Sequence, residues 1–355
     1  MRNGHIPLNI TTSSELSLKE TTARYEDFGY VVVRGLLEHE TDIRPVIEEY
    51  DELLMGICNR LYREGVITSK HEEFQFEERA LAVAAEVGVQ SIYDYFRIFL
   101  NPPGRQVMGA GTKKDSPLHV GPAVFGLLRN EKLLDAIGTI IGDEIYFNPV
   151  GIVRFKPPEK MVMNDELKHG PNYRASGAIA SQFWHQDQAV FSKDVGDVNM
   201  VTAWVSLTDA TEEMGCLMVC PGSHKNGVAI HCATDGNPGI PEQDLGETKV
   251  PLETSAGDVI LMNKLLKHGS LPNTSKRLRF SLDLRYQPNG DSVGRRFIGS
   301  EGFTVRSKEN PEKVLKNNLE WAQVQVANRE YMMNIDPENE SSIKNHFQQN
   351  HEWCF

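Results

Sequence analysis

The apolar period of the chain changes near residue 145, and no other feature restricts the possible folds as strongly. Before that point apolar residues recur every three or four positions. In ETDIRPVIEEYDELLMGICNRLYREG (40–65), Ile43, Val46, Ile47, Tyr50, Leu53, Leu54, Ile57 and Leu61 form one helical stripe. EERALAVAAEVGV (77–89) and FGLLRNEKLLDAIGTIIG (125–142) repeat the pattern, the second stopping at Gly142. DFGYVVVRGLL (27–37) interrupts it with a short strand ending at Gly35.

After residue 145 the period is two. EIYFNPVGIVRFK (144–156), QFWHQDQAVF (182–191), NMVTAWVSLTDA (199–210), GCLMVCPGS (215–223), TKVPLETSAGDVILMN (248–263) and KRLRFSLDLRYQP (276–288) read as short strands. Gly215, Pro221–Gly222, Gly257–Asp258 and Pro272–Asn273 mark the turns between them. Strands this short and this punctuated predict a sandwich or jelly roll, not a parallel α/β sheet. NPEKVLKNNLEWAQVQVANREYMM (310–333) is helical again. The expectation is one α+β domain over 1–355. It has a helical part to about 143, a β-core over about 144–290 and a helical extension over about 291–355. Two irregular stretches, 157–181 and 230–246, are long enough to serve as lids.

The net charge is −12 with basic and acidic residues interleaved, so no basic stripe offers nucleic acid a partner surface. No window approaches 18 uninterrupted apolar residues, and MRNGHIPLNITTSSE lacks the apolar run of a signal peptide. The expected location is the cytoplasm, with no membrane contact. Five cysteines (Cys58, Cys216, Cys220, Cys232 and Cys354) form no regular pattern, and a chain of this length needs no disulfides. Cys216 and Cys220 lack the second pair of a zinc site. No G-x-S-x-G motif supports a hydrolase.

The chemistry concentrates in FWHQDQAVF (183–191) and in the segment after residue 264. Residues i and i+2 of a strand share a face, so His185 and Asp187 project together and Gln186 faces away. His268 is the candidate third ligand. Two histidines and one carboxylate are the set used by non-haem Fe(II) oxygenases, and they leave three positions open. The competing reading is a hydrogen-bonded His–Asp structural pair. Arg279 lies eleven residues beyond His268 on a strand whose apolar face is Leu278, Phe280, Leu282 and Leu284. Arg277, Arg279, Ser281, Asp283 and Arg285 form its other face. An Arg inside such a cavity calls for an anion, and its fork suits a carboxylate. Asp283 and Arg285 either line the substrate end of the cavity or pair internally.

Together these segments resemble the phytanoyl-CoA dioxygenase family of Fe(II)/2-oxoglutarate oxygenases. The shared pieces are HQD at 185–187, TAWVSLTDATEEMGCLMVCPGSHK at 202–225, SAGDVILMN at 255–263 and HGSLPNTSKRLR at 268–279, with DFGYVVVRGLL as the opening strand. They extend from about 25 to 290. The resemblance implies a double-stranded β-helix (jelly-roll, cupin-like) core between N-terminal and C-terminal helices. It implies Fe(II) held by His185, Asp187 and His268, with O2 and 2-oxoglutarate as cosubstrates. Arg279 would hold the distal carboxylate of 2-oxoglutarate, helped by Ser270. Trp204 would line that pocket, bordered by Ile152 and Lys156, while His224 of the P-G-S-H turn would be structural. The implied reaction is hydroxylation, or a related oxidation, of a small-molecule C–H bond, with succinate and CO2 formed. Asp187 stands where halogenating relatives carry a small residue, which argues against halogenation. A non-catalytic jelly-roll module binding a ligand or a metal is the alternative.

Overall fold

A computed structural model of the protein describes residues 18–98, 117–169, 183–191, 198–234, 237–294 and 301–334. In chain order, α1 (Leu18–Phe28) leads into β1 (Tyr30–Val33), and α2 (Arg44–Arg63), α3 (Phe76–Val87), α4 (Val89–Phe96), α5 (Pro122–Leu128) and α6 (Glu131–Ile141) follow. Next come β2 (Ile145–Phe147), β3 (Ile152–Lys156), α7 (Glu159–His169), β4 (Val201–Ser206), β5 (Leu217–Val219), β6 (Cys232–Thr234) and β7 (Asn237–Gly239). The chain continues through β8 (Val250–Leu252), β9 (Val259–Asn263), β10 (His268–Ser270), β11 (Arg279–Pro288), β12 (Phe303–Arg306) and α8 (Asn318–Met333).

Two antiparallel sheets make the double-stranded β-helix. The larger has the order β1-β9-β4-β11-β2-β12, with β3 also paired to β11; the smaller is β10-β5-β8. The alternation of side chains divides the larger sheet between two cores. Val201, Ala203, Val205, Val259, Leu261, Phe280, Leu282 and Leu284 face the helices. There Phe280 meets Tyr50, Phe76 and Phe96 at ring separations of 5.0, 5.1 and 5.9 Å. Val32, Trp204, Ile260 and Met262 face inward, against Leu217 and Val219 of β5 and Val250 and Leu252 of β8. The functional side chains of β11 lie on this inner face.

Several expectations are corrected. The helix expected over 125–142 is two helices, because Asn130 caps a new one: its side chain accepts a hydrogen bond from the Leu133 N–H at 3.3 Å. Gly142 does close α6, at φ +86°. The β-region does not end at 290, since β12 joins the large sheet beside β2. Phe303 of β12 packs its ring on Phe125, Phe147 and Trp321, which anchors a strand too short to show a period. Among the described residues of the expected helical extension, α-helix begins at Asn318, after a 3-10 turn over Pro311–Lys313, and 335–355 lie outside the described residues. Of the stretch expected to be irregular at 157–181, residues 159–169 form α7 and 170–182 lie outside the described residues. In 230–246, β6 and β7 form a hairpin followed by a 3-10 turn. Cys58, Cys216 and Cys220 are buried free thiols, and Cys232 is disulfide-bonded. Among the described residues no helix is long and apolar enough to cross a membrane.

The turn before β9 ties the large sheet to the helical layer. Asp258 accepts hydrogen bonds from the backbone N–H groups of Gly35 and Ser255 and from Arg34 Nη1, at 2.7, 2.9 and 2.7 Å. Gly257 adopts φ +91°, and a Cβ there would stand 2.3 Å from the Leu37 carbonyl oxygen. Backbone on both sides leaves no flexible group to yield. Gly257→Ala should therefore cost about 3 kcal/mol, read as a lower midpoint in chemical denaturation. An unchanged midpoint would show that the turn relaxes freely.

Candidate metal centre

His268 opens β10, opposite Val219 of β5. On its other side the extended backbone at His185 forms a two-bond bridge to it: His185 N–H donates to the His268 carbonyl at 2.8 Å, and His268 N–H donates back at 2.9 Å. The bridge brings the two imidazoles to a centroid separation of 4.2 Å. Gln186 is still extended, at φ −115° and ψ 140°, and the chain then leaves that geometry. Asp187–Val190 is a 3-10 turn, so the strand expected over 182–191 is corrected: among its described residues, 183–191, a single bridge at His185 is sheet-like.

Gln186 provides what the missing strand would have supplied. Its amide nitrogen donates to the carbonyls of Gly227 and Leu265 at 2.9 and 2.6 Å, and its oxygen accepts from Ala229 N–H at 2.7 Å. Its own N–H donates to His231 Nε2 at 3.1 Å. Gln186 does face away from its neighbours, and this fully paired amide clamps the turn between them. One ligand-type atom from each of His185, Asp187 and His268 lies within 4.8 Å of the other two, and all three residues are buried.

The remaining atoms of these side chains are already engaged. Nδ1 of His185 donates to the Phe183 carbonyl at 3.3 Å, and Nδ1 of His268 to the Leu266 carbonyl at 3.0 Å. Each Nε2 is thereby left as an acceptor. Asp187 receives Thr202 Oγ1 on Oδ2 and Arg285 Nη2 on Oδ1, the latter at 2.6 Å. Burial, and then His268, push the His185 pKa well below its ordinary value. Burial opposes ionisation of Asp187, but Arg285 and the two histidines outweigh it and hold the carboxyl below its usual range. The donor set is therefore two imidazoles, each with Nδ1 turned to a backbone carbonyl, and one carboxylate.

A narrow cavity runs from His185 and His268 to a group of cations: Arg154, Lys156 and Arg279 line it with Trp204, Ser270 and Asp283, and Leu217 and Met262 supply apolar wall. Arg279 and Lys156 are cross-strand neighbours in the β11–β3 register. Lys156 Nζ donates to Ser270 Oγ at 2.8 Å. Arg279 donates to the Gly215 carbonyl and stacks over Trp204 at 5.4 Å. Its Nε and the Trp204 Nε1 have no hydrogen-bond partner among the described residues. Burial, then the nearby Arg279 and Arg154, pull the Lys156 pKa well down. Burial and Arg154 lower that of Arg279 to about 9. Like charges this close, out of water, call for an anion between them.

The other expected residues separate. Ile152 is buried on β3 opposite Asp283, beside the cavity but not among the residues that line it. Asp283 lines the cavity, but it is paired with Arg154 at 2.7 Å and with Arg285 at 3.4 Å. Arg285 lies behind Asp187, outside the cavity wall, so its placement at the substrate end is corrected to an internal ion pair. Arg277 turns to the surface, against Glu77 and Asp209. His224 Nε2 pairs with the Glu26 carbonyl at 3.0 Å, away from the centre. Arg154, Thr202 and Gln186 were not anticipated. Arg154 alone had a visible signal, since it alternates with Lys156 in IVRFK.

The family model described as phytanoyl-CoA dioxygenase (PhyH) matches residues 25–281. Phytanoyl-CoA dioxygenase 1 of Oryza sativa subsp. japonica is 37% identical over 106 residues, 28% of this chain and 36% of that protein. A probable phytanoyl-CoA dioxygenase of Caenorhabditis elegans is 28% identical over 191 residues, 52% of this chain and 55% of that one. The chain thus spans about a third to a half of the length of these relatives. Among solved structures, the non-heme monooxygenase ThoJ superposes with a TM-score of 0.50 at 17% identity, over 92% of this chain and 99% of ThoJ, and so shares its fold. With a family match running from before β1 into β11, the chain belongs to the phytanoyl-CoA dioxygenase (PhyH) family.

Proposed function

We propose that this protein is an Fe(II)- and 2-oxoglutarate-dependent dioxygenase that hydroxylates a C–H bond of a small molecule. The observation that carries the reading is the convergence of His185, Asp187 and His268 beside the buried Arg279–Lys156 pair. Two imidazoles and one carboxylate suit a first-row divalent ion with positions to spare, whereas a structural zinc site closes its tetrahedron with a fourth protein ligand. His185, Asp187 and His268 would hold Fe(II). Arg279, through its unpaired Nε, and Lys156 with Ser270 would receive the distal carboxylate of 2-oxoglutarate, and Trp204 would pack along it.

When bound, iron, 2-oxoglutarate and O2 supply the oxidising power, and the cosubstrate leaves as succinate and CO2. The protein contributes geometry. The carbonyl-bound Nδ1 atoms aim both imidazoles, and Thr202 and Arg285 orient the carboxylate. Arg279 sets the register of the cosubstrate, and Leu217 and Met262 keep the wall between sheets apolar.

Two outcomes test the reading. Anaerobic addition of 2-oxoglutarate to the Fe(II)-loaded protein should produce a weak visible charge-transfer band, and Asp187→Ala should abolish it. Absence of the band together with absence of succinate across a metabolite screen would refute the assignment. Arg279→Leu should weaken 2-oxoglutarate binding about thirtyfold, the equivalent of about 2 kcal/mol for a lost charged hydrogen bond, with metal affinity held. Equal loss of metal would make Arg279 a structural residue.

A further inference from the structure

We propose that Arg285 is a positioning residue that reserves one oxygen of Asp187, making this carboxylate a one-oxygen metal ligand; the inference rests on the metal reading above. Arg285 is 1% exposed and enters from β11 behind the centre. Its Nη2 bonds Asp187 Oδ1 at 2.6 Å, while Nη1 bonds the Val150 carbonyl at 3.1 Å. Asp283 Oδ2 lies 3.4 Å from the same Nη2, and Asp283 is in turn held by Arg154. The guanidinium is thus fixed from three sides and cannot withdraw when an ion arrives.

The two oxygens of Asp187 consequently differ. Oδ2 accepts from Thr202, a neutral hydroxyl, whereas Oδ1 faces a permanent cation. A divalent ion on Oδ1 would lie against the guanidinium in a buried site where charge repulsion is poorly screened. On Oδ2 it meets no such opposition. Carboxylates bind metals through one oxygen or through both, and nothing in the residue type alone decides between them. Here Arg285 decides it. The consequence concerns coordination number. With Asp187 giving one oxygen, three positions stay open: two for a chelating 2-oxo acid and one for O2. If both oxygens coordinated, the carboxylate would compete with the chelate. Arg285 therefore supports cosubstrate binding without lining the cavity that holds the cosubstrate.

The test compares metal and cosubstrate affinities of the full chain under anaerobic conditions, with Co(II) as the ion and 2-oxoglutarate as the chelate. Arg285→Met should bind Co(II) within about threefold of the wild type, or more tightly. It should bind 2-oxoglutarate at least about tenfold more weakly, with altered visible Co(II) bands. Arg285→Lys keeps a cation on Oδ1 and should restore chelation to within about threefold. Unchanged 2-oxoglutarate affinity in Arg285→Met would overturn the inference. So would a parallel fall in Co(II) affinity, which is what a purely structural ion pair predicts. If the Met variant does not fold, Arg285→Gln against Arg285→Lys decides by the same two affinities. Failure of the wild-type protein itself to bind Co(II) or the chelate would overturn the underlying metal reading, a result distinct from any difference between variants.

Discussion

β11 has to satisfy two opposite environments with alternate side chains, and the site depends on that constraint. Phe280, Leu282 and Leu284 pack against the helices, while Arg279, Asp283 and Arg285 are equally buried on the inner face. A strand that buried apolar groups on both faces would give a tighter core and no chemistry. A register slip of one residue would send three charged groups into the aromatic cluster around Tyr50 and Phe96. The pairing of β11 with both β3 and β4 excludes such a slip, because it is fixed on both edges.

The inner face carries an unbalanced charge. Arg154, Lys156 and Arg279 line the cavity with a single carboxylate, Asp283, while Arg285 and Asp187 pair behind it. The pairing is uneven too. Arg154, Asp283, Arg285 and Asp187 form a chain of alternating sign, whereas Arg279 makes no ion pair among the described residues. Buried charges repay their desolvation only with close partners. The alternating chain meets that condition internally. Arg279, which hydrogen-bonds only the neutral Gly215 carbonyl among the described residues, does not. The division separates a part built for rigidity from a part built for occupancy.

Much of this was legible in the sequence. The change of period at residue 145 located the β-core, and the alternation of KRLRFSLDLRYQP placed Arg279 and Asp283 on one face because β11 is long enough to show its period. Shorter elements escaped. β12 has four residues and is held by three aromatic contacts from distant parts of the chain, a tertiary cause that no local pattern carries. Asn130 divides one apolar stripe into two helices by capping, a local signal hidden under the continuing periodicity. Arg285 was open between two roles because strand parity tells which face a side chain leaves from, not how far into the cavity it reaches.

The H-x-D segment illustrates the same limit from the other direction. Strand parity indicated that His185 and Asp187 converge, and they do, yet the described residues of the expected strand form a single bridge. Convergence comes instead from a turn whose middle residue is anchored on the opposite side. Gln186 makes three side-chain hydrogen bonds to backbone at 227, 229 and 265. Backbone pairing of a regular strand would spread that constraint along many residues. Here one buried amide concentrates it at the position between the ligands, while Thr202 and Arg285 hold Asp187 from β4 and β11. The centre is therefore positioned by side chains from separate elements, and its geometry depends on both sheets being assembled. Side chains held from several elements at once have little conformational freedom left to lose when they bind a ligand.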